Sequence, residues 1–348
     1  MSTRTIAVIA GDGIGPEVTD EALKVATAAA RVDGVTLEPE AVDLGARRYL
    51  ESGHVLDDED LARLAKADAI LLGALGDPRV PPGILERGVI VGIRRHFRQS
   101  VNVRPVKLLE GVASPLRDLT PDRCDMVIVR ENTEGLYAGG SSAAQTGTPY
   151  ATAVQTSVTT HAATRAAINY AFSLATSRRR HVTVCHKTNI LVDAGRIWSS
   201  VSDSESAAFP DVEVDYAHVD AMTLHMVQRP DTFDVIVTDN LFGDILSDLG
   251  AAIAGGLGFA ASANLNLDGA FPSMFEPVHG SAPDIAGSGR AHPAAAILSA
   301  GMMLDHLGLD AAAERCRTAV ARASAELAAG GREVRTVDFG DAATSFVS

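Results

Sequence analysis

The sequence is short of the features that would set it apart from ordinary cytosolic proteins. It has three cysteines, Cys124, Cys185 and Cys316, with no metal-type spacing and an odd one over. That excludes a disulfide-stapled scaffold and suits a reducing compartment, with single thiols in or near the core. A basic excess is missing too: the formal net charge is −14 over 348 residues. A nucleic-acid surface needs a cationic stripe, so no nucleic-acid partner is expected. The one dense basic run, RRRH at 178–181, reads as a helix end whose cations complement the dipole. No apolar stretch reaches the length of a membrane span, and the start MSTRTIAVIAG lacks a basic leader and cleavage site. No membrane is therefore expected, and the chain reads as cytoplasmic. Internal repeats, low-complexity blocks and charge runs are also lacking.

What remains is ordinary globular composition, 46% hydrophobic and 21% charged, in a chain long enough for two domains. TIAVIA (5–10), a further run at 35–42 and AILLG (69–73) read as strands, with helical patterns at 16–32 and 58–66 between them. Near-continuous apolar strands alternating with helices predict an α/β fold with a mostly parallel sheet. Later strands are expected at 125–130, 151–160, 181–187, 212–216 and 233–237, and helices at 161–177, 294–306 and 311–327. The stretch 271–296 reads as a long functional loop, and VRTVDF in the tail as a short strand. Gly11, Gly13 and Gly15 lie between strand and helix, but as G-x-G-x-G. The spacing is not that of a Rossmann fingerprint, so a tight turn is expected there.

Chemistry concentrates in TDNLFGDILSD (238–248). Asp244 and Asp248 are four apart, so on a helix both carboxylates leave one face. The pair is either a solvated acidic face or a seat for a hard divalent ion with oxygen ligands. Arg94, Arg104 and Arg130 fall on or at the ends of predicted elements. They are either separate surface arginines or a convergent, bidentate grip on a small polyanion. If Arg94 faces a ligand, some of Val89, Ile90 and Val91 face it too. Lys187 closes a buried strand, as a snorkelling edge residue or a functional amine. Asp220 opens a helix, where an N-cap is the ordinary role. Tyr137 lies in a glycine-rich loop.

These motifs resemble the isopropylmalate/isocitrate dehydrogenase family of β-decarboxylating dehydrogenases. The likeness runs from AVIAGDGIGPEV to about residue 307, through NVRP, HVDAMTLHM, TDNLFGDILSD and FEPVHGSAPDIAG. It implies that family's two-domain fold, which is not a Rossmann fold: a cofactor-side domain of residues 1–99 and 252–348, and a substrate, metal and dimerisation domain of residues 100–251. It implies oxidation of a 3-substituted malate at C2 by NAD⁺, with loss of the β-carboxylate as CO₂. It also implies roles. Arg94, Arg104 and Arg130 would bind the malate carboxylates, and Ile90 and Val91 the 3-substituent. Asp244 and Asp248 would ligate Mg²⁺ (or Mn²⁺), with Asp220 added by the second subunit of a homodimer. Lys187, also from that subunit, would help deprotonate the C2 hydroxyl, and Tyr137 would protonate the enol carbon.

NAD is expected on the loop holding His279, Gly280, Ser281, Ala282, Asp284, Ile285 and His292. Asp284 would accept from the adenosine ribose, and His292 stands where the family has asparagine. Isocitrate enzymes place a serine and an asparagine where this chain has Gly88 and Ile90. An apolar wall cannot compensate the desolvation of a further carboxylate, which points to the isopropylmalate branch. RENTEGLYAG is closer to the isocitrate, homoisocitrate and tartrate branches, so D-malate, tartrate, homoisocitrate or another 3-substituted malate is the alternative. A non-catalytic nucleotide-binding relative is the alternative from outside the enzymes.

Overall fold

The sheet is built from strands whose two faces differ in chemistry, and that difference places the site. The computed structural model describes residues 2–329 and 334–347. Its strands are β1 (Ser2–Gly11), β2 (Val35–Ala41), β3 (Ala69–Ala74), β4 (Gln99–Lys107), β5 (Asp125–Glu131), β6 (Ser141–Ala144), β7 (Thr152–Gln155), β8 (His181–His186), β9 (Glu213–His218), β10 (Val235–Thr238), β11 (Ala261–Asn266) and β12 (Met274–Pro277). Ten of them form one sheet in the order β2-β1-β3-β12-β11-β4-β5-β10-β8-β9. Pairing is antiparallel at β12/β11, β11/β4 and β4/β5 and parallel at the other pairs. Strands from residues 1–99 and 252–348 thus form one side of the sheet, and strands from residues 100–251 the other, meeting at β11/β4.

The helices are α1 (Gly15–Val32), α2 (Ala46–Ser52), α3 (Asp58–Leu64), α4 (Gly92–His96), α5 (His161–Thr176), α6 (Val192–Ala208), α7 (Val219–Gln228), α8 (Asn240–Ile253), α9 (Ala294–His306), α10 (Asp310–Ala329) and α11 (Thr336–Ser345). Local chemistry starts several of them. Pro16 stands in the first turn of α1, and Asp57 and Asp60 close a reciprocal capping box on α3. The Asp239 carboxylate accepts the Phe242 amide at 2.8 Å and so caps α8.

In the antiparallel centre the side chains alternate. Val101, Val103, Val127, Val129, Ala263 and Phe275 join the main core with α1, α5 and α9. Asn102, Arg104 and Arg130 take the opposite face, which farther along becomes apolar again where Val106, Met126 and Ile128 pack on Met222 and Leu246 of α7 and α8.

The α/β fold with a mostly parallel sheet agrees with the sequence reading, and four local expectations are corrected. The tail VRTVDF is not a strand: α11 begins at Thr336 and buries Phe339 and Ala343 in the main core. The loop 271–296 contains the buried strand β12. Only Thr152–Gln155 of the run 151–160 is strand, paired with β6 in an exposed hairpin. Asp220 is not the N-cap of α7; that position belongs to His218. The basic run follows α5, and Arg178 binds Asp125 and Asp234 at 2.7 Å each.

Candidate active site

The polar face at the sheet centre opens into a cleft of about 600 Å³ lined by Ile90, Val91, Arg94, Arg104, Arg130, Tyr137, Asp244, Glu276, His279 and Gly280. All three arginines predicted to converge do so, and each is buried. Arg94 rides on α4, which follows a π-helical turn, Glu86–Val91, carrying Ile90 and Val91. Such turns often mark functional sites, because the extra residue redirects the side chains around it. A Cβ at Gly88 in this turn would meet Val55 Cγ1 at 2.5 Å, so any side chain there requires Val55 to shift.

Each guanidinium is held from behind. Arg130 donates from Nε and Nη2 to Asn240 Oδ1 at 3.1 and 2.7 Å. Arg104 donates from Nε to Asn102 Oδ1 at 2.7 Å and from Nη1 to Ser247 Oγ at 2.5 Å. Arg94 Nη2 meets Glu276 Oε1 at 2.7 Å. Asp244 joins the group: its Oδ1 accepts from Arg130 Nη1 at 2.6 Å and Arg104 Nη1 at 3.3 Å, and its Oδ2 accepts from the Tyr137 hydroxyl at 3.0 Å. Charge-assisted bonds of this kind are the strong ones.

The ionisation states follow. Burial, and then the charge of Arg130, push Arg104 down to about 10, which leaves it cationic at neutral pH. Burial would raise the Asp244 carboxyl, but Arg130 and Arg104 outweigh it and hold the group below its usual range. Asp248 is raised by burial and by the Asp244 charge, with Arg104 opposing. Tyr137 is raised by burial and by Asp244, so its proton stays on the oxygen.

Asp244 and Asp248 stand one turn apart on α8, and Asp248 lies 4.0 Å from Arg104 Nη1. Two oxygen donors, the first ionised and the second disfavoured by its neighbour's charge, fit a hard divalent cation. They are only part of a site: among the described residues no three His, Cys, Asp or Glu side chains gather to hold a metal. Lys187 and Asp220 do not line this chain's cleft. They pair with each other at 2.5 Å elsewhere, and the lysine lowers the Asp220 carboxyl through that bond.

The loop expected to carry NAD is anchored by backbone. The Ile14 amide donates to Ser281 O at 2.8 Å, and a Cβ at Gly13 would lie 1.9 Å from that oxygen. The glycine turn therefore docks the loop, a tight turn as its spacing indicates. His279 Nε2 is buried without a partner, while Gly280 faces open space. An orphaned ring nitrogen and an open glycine beside the arginine cleft fit a dinucleotide. Ala282 holds a left-handed φ of 37°, Asp284 is exposed, and Ile285 packs on the main core. His292 lies between Phe259 and Phe339, its centroid 4.5 Å from each.

Sequence reading missed the groups that hold the arginines: Asn102, Asn240, Ser247 and Glu276. Asn102 in NVRP, and Asn240 and Ser247 in TDNLFGDILSD, share a strand or helix face with a predicted ligand, whereas Glu276 stands on β12, three residues before His279.

The sequence pattern described as Isocitrate/isopropylmalate dehydrogenase matches residues 5–348. A protein of Corynebacterium efficiens named 3-isopropylmalate dehydrogenase is 57% identical over 318 residues, 91% of this chain and 92% of that protein. One of the same name from Thermobifida fusca is 52% identical over 344 residues, 98% of this chain and 97% of that protein. The crystal structure of isocitrate dehydrogenase from Methylococcus capsulatus superposes with a TM-score of 0.89 at 36% identity, covering 99% of each chain. Sequence, fold and cleft agree, and the chain belongs to the isocitrate/isopropylmalate dehydrogenase family.

Proposed function

We propose that the chain oxidises (2R,3S)-3-isopropylmalate at C2 with NAD⁺ and decarboxylates it to 4-methyl-2-oxopentanoate, as a cytoplasmic homodimer using Mg²⁺ or Mn²⁺. One observation carries this reading: three buried guanidiniums share a cleft with the apolar side chains of Ile90 and Val91. The arginines suit the two malate carboxylates, and the apolar wall suits a branched alkyl group rather than a carboxylate. The names of relatives at 52 and 57% identity support the same substrate.

In this reading Arg94, Arg104 and Arg130 orient the substrate and fix its carboxylates. Asp244 and Asp248, with Asp220 supplied by a second copy, hold the divalent ion, which when bound lowers the hydroxyl pKa and stabilises developing negative charge. Lys187 of that second copy assists removal of the hydroxyl proton. Tyr137 keeps its proton at neutral pH and delivers it to carbon after CO₂ leaves. NAD lies along His279, Gly280, Ser281, Ala282, Asp284, Ile285 and His292, with the exposed Asp284 free to accept from ribose hydroxyls. Residues 1–99 and 252–348 act as the cofactor-side domain, and residues 100–251 as the substrate and dimerisation domain.

Two features support the dimer. Leu224 and Val227 on α7 and Ile245 on α8 are 52, 41 and 54% exposed, an apolar surface suited to a second copy. Lys187 and Asp220 also need another chain's cleft in order to act. Among the described residues no helix is long and apolar enough to cross a membrane.

The test is NAD⁺ reduction by purified protein with isopropylmalate, isocitrate, homoisocitrate, D-malate and tartrate, each with Mg²⁺. Isopropylmalate should give the highest kcat/KM, on the order of 100-fold above isocitrate, whose extra carboxylate has no partner at Ile90 and Val91. A higher value with any other substrate overturns the assignment.

A further inference from the structure

Arg94 and Arg104 belong to different sides of the sheet, yet a buried line of polar side chains joins them. Arg104 Nε donates to Asn102 Oδ1 at 2.7 Å. Asn102 Nδ2 donates to Asn264 Oδ1 at 3.0 Å. Asn264 Nδ2 donates to Glu276 Oε1 at 2.8 Å, and the same oxygen accepts from Arg94 Nη2 at 2.7 Å. Asn102 and Asn264 are wholly buried. They face each other in the antiparallel register of β4 and β11, where the two sides of the sheet meet.

The direction of every bond is forced. A guanidinium only donates and an ionised carboxylate only accepts. Asn102 must therefore turn its oxygen to Arg104 and its NH₂ toward Asn264. Asn264 must then present its oxygen to Asn102, which leaves its NH₂ for Glu276. Asn132 Nδ2 donates to Asn264 Oδ1 as well, at 2.9 Å, so both lone pairs of that oxygen are used. Flipping either amide would set donor against donor in a buried place, where an unmade hydrogen bond is costly. The line has one stable arrangement.

We propose that Asn264 is a positioning residue for substrate binding. It fixes the orientations of Arg94 and Arg104 relative to one another across the β11/β4 seam, and with them the spacing at which two guanidiniums meet a dicarboxylate. The proposal rests on the reading of the cleft as a 3-alkylmalate site.

The test compares Asn264→Ala, Asn102→Ala and the double variant with Gln99→Leu. Gln99 is a buried amide nearby whose Nε2 bonds Pro272 O at 2.9 Å and no arginine. Either alanine variant should raise the KM for isopropylmalate about 10- to 100-fold, with kcat and the KM for NAD⁺ within about 3-fold. The double variant should be little worse than the poorer single one, since the line is already cut. Gln99→Leu should lose thermal stability without a change in substrate KM. If Asn264→Ala does not fold, Asn264→Asp keeps both accepted bonds, loses the donations to Glu276 and to Met274 O, sets acceptor against acceptor beside Glu276, and should raise the same KM. A second readout needs no substrate: the Arg104 Nε–H resonance should move in Asn264→Ala and stay in Gln99→Leu.

An unchanged substrate KM in an active enzyme, multiplicative single effects, or an unmoved Arg104 resonance would overturn the proposal. Wild-type protein that turns over no 3-substituted malate overturns the substrate reading instead, and the resonance then decides the line by itself.

Discussion

Replacing His292 by asparagine should make the protein more tolerant of acid. The ring is gripped by Phe259 and Phe339, its Nδ1 accepts the Ala294 amide at 3.3 Å, and no carboxylate pairs with it among the described residues. Burial, with His279 adding to it, pushes the imidazole down to about 4 from its ordinary 6.5. Between those values the unfolded chain binds a proton that the folded chain refuses. The contribution to stability is therefore complete above pH 6.5 and is lost as pH falls toward about 4. At about 1.4 kcal/mol per pH unit the whole gap is worth about 3 kcal/mol, of which about 2 kcal/mol is lost by roughly pH 5.

The assay is urea unfolding of both proteins at two values, about pH 8 and about pH 5; in the His292→Asn variant the position cannot titrate. Only the change between the two pH values is compared, because the substitution also alters packing at every pH. His186, likewise pushed down to about 4 by burial, titrates in the same window but is present in both proteins and cancels. The wild type should lose about 2 kcal/mol more than the variant, or about 3 °C in Tm for a chain of this size. Parallel losses within about 0.5 kcal/mol would refute the reasoning, since they would mean that the ring takes up its proton inside the fold.

Two further outcomes are expected. Tyr137→Phe and Lys187→Met should each be nearly inactive alone, yet co-expression should restore about a quarter of wild-type sites, because half of randomly paired dimers carry one site free of both substitutions; no recovery in isolated heterodimers would place both residues in one chain's site. Asp284→Lys should shift preference toward NADP⁺, read as the ratio of kcat/KM for the two cofactors, because a carboxylate that repels a 2′-phosphate is exchanged for a cation; an unchanged ratio would sink the ribose contact.

The inner parallel strands were legible because they are buried on both faces and read as unbroken apolar runs, as in AILLG and VIVT. The strands β11 and β12 were not, because Ser262, Asn264 and Glu276 on the cleft face interrupt the apolar pattern with buried polar groups. The same residues that build the site hide the strands that carry it. Helix α2, ARRYLES, buries only Ala46 and shows no apolar stripe. In α11 the residues Thr336 and Val337 favour strand locally, and packing of Phe339 against the core overrides them. The convergence of Arg94, Arg104 and Arg130 depends on strand order, and the Tyr137 bond to Asp244 spans 107 residues. Neither follows from local spacing. The helical spacing of Asp244 and Asp248 was readable, but their unequal surroundings were not.

Charge accounting separates the candidate substrates without reference to any relative's name. Arg94, Arg104 and Arg130 bring three positive charges to the cleft. Glu276 and Asp244 answer two of them directly, and Asp248, 4.0 Å from Arg104, answers the third. Glu86 and Arg87 also line the cleft and cancel each other, so these protein groups sum to zero, which is what allows three guanidiniums to be buried side by side. Lys187 and Asp220, already paired with each other, bring no net charge from a second copy. Adding the divalent cation proposed for Asp244 and Asp248 creates an excess that a malate dianion cancels. A third carboxylate would leave the sum negative, and on the proposed pose it would meet Ile90 and Val91, with the solvent-exposed Arg87 as the nearest further cation in the lining. An alkyl substituent at that position leaves the sum at zero and gains from burial. On the proposed reading, the cleft would discriminate by what it declines to neutralise, with Ile90 and Val91 setting specificity and the arginines affinity.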